Sequence, residues 1–379
     1  MHYPKPQRPQ FSSGPCAKRP GWSPSVLASA LLGHSHRSQV GVARIAAVYE
    51  QTRQILEIPA SYVIALINGS ATAAMEAILW NLIGARGVDA VDFDVFSHRW
   101  VGDLQHLIPQ DLRVFEGSAQ QLPDLGQVNF ERDVMLVWNG TASGLAIPSG
   151  EWIPRDRGGL VLCDATSAAF ATDLPWEKLD AVAFSWQKGL GGEGAHGMVV
   201  LSPRALARLE TYTPQWPIPY LMRFKDGETV RKNLFEAKLA NTPSMLCVED
   251  ALDALAWAQA QGGLKGLLAR VQRNYETLCD LVARSSFLDF MVADPAQRSK
   301  VSVTLKITTL EEMGVASQWR FVETLCALLI QHQVAYDIKN HVSTTPGLRL
   351  WCGPTVEAED IAALGPWLEW AYKETQSSL

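Results

Sequence analysis

Apolar runs typical of strands alternate with helical patterns over much of the chain. SYVIALIN and GGLVLC have the continuous apolar character of buried strands, and TAAMEAILW, which follows the first of them, has helical spacing. After about residue 245 this alternation gives way to long helices with a few strands. The pattern predicts an α/β fold with a large, mostly parallel sheet covered by helices, followed by a smaller α+β C-terminal domain.

The N-terminal segment has a different character. Four prolines fall within residues 1–15, and proline is disfavoured inside helices and central strands because it lacks an N–H donor. We therefore expect an extended arm over residues 1–15, a large domain over 16–245 and a small domain over 246–379.

Composition narrows the class of protein. The 379 residues carry a formal net charge of −6 and no basic block, which argues against nucleic-acid binding. No apolar stretch approaches the roughly 20 residues that a membrane span needs. The six cysteines are scattered without a C-x-x-C pair, which favours reduced thiols. We expect a soluble, cytoplasmic protein with no membrane or nucleic-acid partner.

Two polar residues follow apolar, strand-like runs that are close in the sequence. Asp164 ends GGLVLCD and Lys188 follows AVAFSWQ, a separation of 24 residues that suits one crossover between parallel strands. The carboxyl ends of such strands meet in the crevice where open α/β sheets bind ligands. A lysine that forms a Schiff base and a carboxylate that keeps a pyridine nitrogen protonated would suit pyridoxal 5'-phosphate. For each residue alone, a helix cap or a solvated charge is the alternative.

The glycines after Lys188 also spell G-x-G-x-x-G, the dinucleotide-binding pattern. That pattern requires a helix directly after the glycines, whereas HGMVVLS reads as another strand. We reject a dinucleotide site. Glycines here would instead let the backbone approach a bulky ligand.

Three further positions are candidates for cofactor contacts. The turn and helix start at residues 68–72 (NGSAT) could bind a phosphate, or Ser70 could simply cap the helix. Trp100 could stack on an aromatic ring, or could be a core residue. Thr141 could donate a hydrogen bond to the cofactor, or could belong to an ordinary N-G-T turn.

Several cationic residues could contact an anionic substrate. His36 and Arg37 lie in GHSHRS, where the histidine spacing fits no metal motif and we expect no metal. His341 and Arg349 lie near the C-terminal end. Arg349 falls in an apolar run, where a guanidinium needs a carboxylate from the protein or from a ligand.

Motifs along nearly the whole chain resemble those of the class V, fold-type I aminotransferases, and most closely the phosphoserine aminotransferase family. In chain order they are FSSGP (11–15), GHSHRS (33–38), NGSATAAME (68–76), HRW (98–100), WNGTASG (138–144), CDATSAAF (163–170), SWQKGLGGEG (185–194), ANTPS (240–244) and GLRLWCGPT (347–355). The resemblance implies the fold of type I pyridoxal phosphate-dependent transferases and a homodimer with shared active sites.

The resemblance also implies a role for single residues. Lys188 matches the Schiff-base lysine, and Asp164 matches the partner of the pyridine nitrogen. The other positions that match cofactor contacts are Gly69, Ser70, Ala71, Trp100, Thr141, Gln187, and Asn241 and Thr242 from the neighbouring subunit. The positions that match substrate contacts are His36 and Arg37 for a phosphate, His341 more loosely, and Arg349 for the α-carboxylate.

The expected reaction converts 3-phosphohydroxypyruvate and L-glutamate to O-phospho-L-serine and 2-oxoglutarate, a step of serine biosynthesis. Two departures weaken the expected preference for a phosphorylated substrate: Ser70-Ala71 stands where some relatives carry an arginine, and Val342, after His341, stands where some carry a basic residue. An alanine/serine–glyoxylate aminotransferase, a cysteine desulfurase using Cys352, and a non-catalytic binding protein of this fold remain alternatives.

Overall fold

A seven-stranded sheet lies at the centre of the computed structural model, which describes residues 3–118, 120–341 and 344–378. Except for the edge strand at Leu112–Glu116, its strands are mostly apolar and buried, as expected where helices cover both faces. The strands are β1 (Val63–Asn68), β2 (Val88–Asp92), β3 (Leu112–Glu116), β4 (Asp133–Val137), β5 (Val161–Asp164), β6 (Ala181–Ser185) and β7 (His196–Leu201).

The strand order explains why so many loops converge at one edge of the sheet. The order is β1-β7-β6-β5-β4-β2-β3, and β7 runs antiparallel to both of its neighbours. The pairs from β6 through β3 are parallel. The carboxyl ends of β1, β2, β4, β5 and β6 therefore lie at the same edge, where the start of β7 joins them.

The helices in the described residues are α1 (Gln39–Leu56), α2 (Ser70–Leu82), α3 (Val95–Leu107), α4 (Pro203–Thr211), α5 (Met245–Ala260), α6 (Gly263–Arg284), α7 (Val315–Gln331) and α8 (Ala358–Ser378). Serine side chains accept first-turn N–H groups at the start of α1, α4 and α5. Helix α2 packs on the sheet, and α1 packs against α5. None of the described helices is both long and apolar enough to cross a membrane.

A second apolar core surrounds a smaller antiparallel sheet. Its strands β10 (Leu288–Phe290), β11 (Ser302–Ile307) and β12 (Leu348–Trp351) pair in that order, and α6, α7 and α8 pack around them. A short hairpin of β8 (Lys225–Asp226) and β9 (Thr229–Val230) lies apart. Helix α5 belongs to the first core and α6 contributes to both. The boundary near residue 245 stays a prediction.

The N-terminal arm packs along the smaller core before it reaches the large sheet. Phe11 is fully buried there, and its carbonyl accepts the N–H of Trp351. The Pro9 carbonyl accepts the N–H of Tyr336. Five residues beyond Phe11, the N–H of Cys16 donates to the carbonyl of Gln187 over 2.9 Å. The arm thus joins the small sheet to the loop after β6. Residues 1 and 2 of the predicted arm lie outside the described residues.

The predicted α/β class is confirmed, but at two points the local hydrophobic pattern indicates an element other than the one that forms. SPSVLASALL has helical spacing but forms only a 3₁₀ turn over Pro24–Leu27, with no buried side chain to stabilise a longer helix. The run VDAVDFDVF reads as one strand, yet β2 stops at Asp92 because Asp94 caps α3 in a capping box with Ser97.

His196, the first residue of β7, is a buried titratable group at the convergent edge. Its side chain is 1% exposed, and its Nε2 accepts the N–H of Ser244 over 3.2 Å. Burial lowers its pKa from 6.5 to about 4. The folded chain therefore keeps a neutral imidazole at a pH where the unfolded chain would protonate it.

This histidine should make the fold sensitive to acid. Between pH 6.5 and about 4 the unfolded chain binds the extra proton, so the free energy of unfolding falls as the pH is lowered through that window. The contribution is at most about 3 kcal/mol. We expect His196→Gln to lose less stability than the wild type between pH 7 and pH 5 in urea unfolding. An unchanged loss in this variant would contradict the assignment, and His106→Gln, at an exposed histidine, is the control.

Candidate active site

A cavity of about 170 Å³ lies where the strands converge. Its lining combines a lysine, a carboxylate, an indole, hydroxyls and the start of α2. The lining residues are Gly14, Ser70, Ala71, Thr72, Phe96, Trp100, Val137, Asn139, Thr141, Asp164, Thr166, Ser167, Gln187 and Lys188. Seven residues predicted from the sequence as cofactor contacts are thus brought together around one cavity, namely Ser70, Ala71, Trp100, Thr141, Asp164, Gln187 and Lys188.

Asp164, the last residue of β5, is held by donors on both of its oxygens. Oδ2 accepts the indole N–H of Trp100 over 3.0 Å, and Oδ1 accepts the backbone N–H of Thr166 over 2.9 Å. The carboxylate is 5% exposed. These donors fix the orientation of the carboxylate, which lies in the wall of the cavity.

Lys188 lies three residues beyond β6 and carries the amine of the cavity. Its side chain is 6% exposed, and its Nζ donates to the carbonyl of Ser13 on the N-terminal arm. Burial lowers the pKa of the amine, and the nearby Arg349 guanidinium lowers it further. More of the amine is consequently unprotonated near neutral pH, which is the form that attacks a carbonyl carbon.

The glycines that follow Lys188 shape its loop. Gly191 has a φ of 63°, in the left-handed region that favours glycine. A side chain at Gly194 would lie 2.1 Å from Oε1 of Gln187. The G-x-G-x-x-G pattern therefore reflects a tight loop around Gln187 and leads into β7 rather than into a helix, as expected from the sequence.

The start of α2 lines the cavity with Ser70, Ala71 and Thr72. Gly69 caps the helix with a φ of 110°, and Ser70 also lies in the left-handed region, with a φ of 68°. The N–H groups of both residues are directed to the carbonyl of Ala195. First-turn N–H groups have no acceptor within a helix, so those of Ala71 and Thr72 are the donors available to a ligand in the cavity.

Thr141 lies in the turn after β4, at the junction with the small sheet. Its hydroxyl contacts that of Ser167, and both residues line the cavity. Its carbonyl accepts the hydroxyl of Ser302 over 2.7 Å. The turn therefore faces the cavity on one side and β11 on the other.

Arg349, on β12, approaches the cavity from the small sheet. Its Nη1 lies 3.5 Å from the carbonyl of Thr141, and its buried Nε has no hydrogen-bond partner among the described residues. Burial lowers its pKa, an effect that the carboxylate of Asp94 opposes. A largely buried guanidinium with an unused N–H is suited to a carboxylate ligand.

The remaining predicted positions do not line this cavity of the single chain. His36 is 5% exposed with an unpartnered Nε2, and Arg37 beside it is exposed. The carbonyl of Thr242 accepts the side-chain amide of Asn68 over 2.8 Å, which places Thr242 and its neighbour Asn241 close to the start of α2. His341 lies in the loop before β12. The roles of all predicted positions stay predictions.

Some groups at this site were missed from the sequence. The Ser13 carbonyl and Gly14 come from the arm, and Thr166 and Ser167 belong to the loop after Asp164. The Thr-Ser pair in CDATSAAF directly follows the candidate carboxylate, and small hydroxyl residues at that place could have signalled the loop. No group of three or more potential metal ligands occurs in the part of the chain that the structure describes.

No protein-family model matches the chain. The phosphoserine aminotransferase of Methanosarcina mazei is 46% identical over 368 residues, which cover 97% of each chain.

Solved structures establish the fold. A phosphoserine aminotransferase structure from Cytophaga hutchinsonii superimposes with a TM-score of 0.81 at 18% identity, covering 96% of this chain and 99% of that one. An alanine–glyoxylate aminotransferase structure from Nostoc has a TM-score of 0.78 at 21% identity, covering 98% and 96%. These likenesses confirm the predicted aminotransferase fold, while the 46% sequence identity to the Methanosarcina mazei relative shows the family: the chain belongs to the phosphoserine aminotransferase family.

Proposed function

We propose that the protein transfers the amino group of L-glutamate to 3-phosphohydroxypyruvate, with pyridoxal 5'-phosphate as cofactor, yielding O-phospho-L-serine and 2-oxoglutarate for serine biosynthesis. The observation that carries the proposal is the pairing of a buried amine, Lys188, with a buried carboxylate, Asp164, in one cavity of a chain from this family.

The donors and acceptors of the cavity fit the cofactor chemically. The carboxylate of Asp164 suits a protonated ring nitrogen, and Trp100, which donates to Asp164, offers an indole face for stacking. The start of α2 suits the phosphate. Thr141 offers a hydroxyl for a ring oxygen. Each polar part of the cofactor therefore has a group of matching chemistry in the lining.

When bound, pyridoxal phosphate supplies an aldehyde for the amino group and an electron-withdrawing ring. Asp164 would hold its carboxylate beside the ring nitrogen, and Lys188 would hold the cofactor through Nζ and be released by the amine of an incoming amino acid. Because burial lowers the pKa of the Lys188 amine, Nζ would then be suited to take the proton from the substrate α-carbon.

Arg349 is proposed to bind the α-carboxylate that both amino acids and both keto acids share. Its unpartnered Nε and its weak 3.5 Å contact with Thr141 leave donors for two hydrogen bonds. The substrate phosphate is assigned to His36 and Arg37, with His341 as a further contact. The buried, unpartnered Nε2 of His36 supports an anion there.

A cysteine desulfurase is the alternative that this geometry disfavours. Such an enzyme needs a mobile cysteine nucleophile, whereas Cys352 is fully buried and burial raises its pKa. The thiol is therefore protonated and packed. Cys16 lies close enough to Lys188 and Arg349 for their charges to act on it, but it is also buried, and burial raises the pKa of its thiol to about 12.

We propose further that the enzyme is a homodimer in which Asn241 and Thr242 reach the cofactor phosphate of the partner. Large apolar side chains are exposed on the helices α1 and α5, which pack together, and in the segment before α1. Val40 on α1 is 50% exposed, Leu246 on α5 is 43% exposed, and Leu32 before α1 is 57% exposed. Burial of these side chains against a second copy would stabilise a dimer. A cytoplasmic location is proposed because the six cysteines are free thiols.

Replacement of Lys188 tests the cofactor site. We expect Lys188→Ala to lose transaminase activity and the absorbance above 400 nm, because no other amine lines the cavity. Borohydride reduction of the wild type, followed by peptide mass spectrometry, should find the added cofactor mass at Lys188. Lys178→Ala, at a lysine that bonds Gly150, is the control. A coloured, active Lys188→Ala protein would refute the assignment.

Replacement of Arg37 tests the phosphorylated substrate. Loss of one charge-assisted contact should lower kcat/KM for phosphohydroxypyruvate by about 10- to 150-fold. Activity on glyoxylate or pyruvate should change by less than about twofold, since Arg349 still binds their carboxylates. Arg320→Ala, at an exposed arginine of α7, controls for charge. Equal losses on both substrate types would make Arg37 structural, and a wild-type preference for glyoxylate would favour an alanine/serine–glyoxylate aminotransferase.

Co-expression of two inactive variants tests the shared site. Lys188→Ala chains and chains carrying Asn241→Ala with Thr242→Ala should form mixed dimers in which one of the two sites is intact. Random pairing predicts about a quarter of wild-type activity at low cofactor concentration. Light scattering should find twice the mass of one chain. Failure of the mixture to exceed either variant alone, or a fully active monomer, would count against the proposal.

A further inference from the structure

Asp94 is a buried carboxylate to which the reaction above assigns no role. It is 7% exposed and forms no salt bridge among the described residues. Its oxygens instead accept backbone N–H groups from two separate segments. Phe96, in the first turn of α3, donates over 3.0 Å, while Ala142 and Ser143 donate to Oδ2 over 2.9 and 2.7 Å.

The segment that Asp94 holds is the turn at residues 140–143, which joins the two sheets. On the side of the small sheet, the carbonyl of Thr141 accepts Ser302 and lies 3.5 Å from Arg349. The carbonyl of Ser143 accepts the hydroxyl of Thr304 over 3.0 Å. Thr304 is directly opposite Arg349 in the pairing of β11 with β12. The turn is therefore hydrogen-bonded to β11 and contacts Arg349 on β12, the candidate clamp for the substrate carboxylate.

The sequence makes room for this contact. A side chain at Gly140 would lie 2.9 Å from Oδ2 of Asp94 and 2.2 Å from the hydroxyl of Ser143. Glycine thus permits the close approach of the turn to the carboxylate. On its other side, Asp94 caps the helix that carries Trp100, the residue that donates to Asp164. One carboxylate connects the stacking indole with the turn of Thr141.

The charge of Asp94 also acts on Arg349. Among the surrounding groups it has the largest effect in raising the pKa of that guanidinium, against the lowering caused by burial. Burial raises the pKa of Asp94 itself, and its backbone donors oppose this. A negative charge held behind the clamp helps a buried arginine to stay protonated while no substrate carboxylate is bound.

We propose that Asp94 is a positioning residue, which locks the 140–143 turn so that Thr141 faces the cofactor and Arg349 is aligned for the substrate α-carboxylate. The assignment rests on the proposed role of Arg349. It predicts that loss of the carboxylate acts mainly on the binding of substrates and less on the chemical step.

Asp94→Asn is the test, with Asp92→Asn as the matched control. Asparagine has the same shape as aspartate, but its NH₂ group replaces one of the two acceptor oxygens. That NH₂ group would face the backbone N–H of α3 or the N–H groups of the turn, each of which needs an acceptor. Asp92 is equally buried two residues away, but it accepts from Ser97 and His98 and does not touch the turn. For Asp94→Asn we expect KM to rise about 10-fold for both glutamate and phosphohydroxypyruvate, with kcat falling less than about threefold. For Asp92→Asn we expect both constants to change by less than about twofold.

Hydrogen exchange supplies a readout that does not depend on activity. In protein freed of cofactor, the amides of Ala142 and Ser143 should exchange about 10-fold faster or more in Asp94→Asn than in Asp92→Asn. Should Asp94→Asn fail to fold, Gly140→Ala should displace the turn from the opposite side and give the same rise in KM. Unchanged KM values and exchange rates would overturn the proposal, as would equal effects of Asp92→Asn and Asp94→Asn. Lack of transaminase activity in the wild type would instead refute the proposed function, and exchange would still decide whether Asp94 holds the turn.

Discussion

The parallel pairing of β5 with β6 is the constraint on which the site depends. Asp164 lies opposite Ala183 in that register, and the chain needs only a few residues beyond β6 to bring Lys188 to the same edge. Parallel strands with their ends at one edge put polar loop residues next to each other without burying an unpaired backbone. The apolar runs of these strands secure the register, because every residue of β5 and β6 is buried.

Much of the fold follows from that apolar pattern, whereas part of the site does not. Asp164, Lys188, Thr141 and the start of α2 could be found because each comes shortly after a buried strand. Ser13 could not be found in this way, since its contribution is a carbonyl whose place depends on how the arm packs across the small core. Every residue has a backbone carbonyl, so the sequence alone does not show which of them faces the site. Tertiary packing decides this.

The end of β2 illustrates a competition that periodicity alone misjudged. Val95 and Phe96 continue an apolar run, which favours a longer strand by pattern. Asp94 and Ser97 satisfy the first N–H groups of a helix, and this local hydrogen bonding prevails at the point where the strand leaves the sheet. The outcome starts α3 at Val95, so that Trp100 lies on this helix and donates to Asp164. A capping signal of two residues thereby sets the start of the helix that carries both aromatic residues of the cavity lining, Phe96 and Trp100.

Some charged groups of the site lie in the cavity wall and others lie behind it. Lys188 is a buried cation and Arg349 a largely buried one; burial lowers the pKa of both, and the Arg349 guanidinium lowers that of Lys188 further. Asp164 lies in the wall of the cavity, and Asp94 lies behind the turn, outside the cavity lining. A buried cation needs a compensating charge, yet a carboxylate in direct contact with Arg349 would compete with the α-carboxylate of a substrate. Placing Asp94 one turn away resolves this conflict, because its field stabilises the guanidinium while backbone N–H groups occupy its oxygens. The clamp thus keeps its hydrogen-bond donors for the ligand, and the turn of Thr141 connects it to the cofactor side of the site.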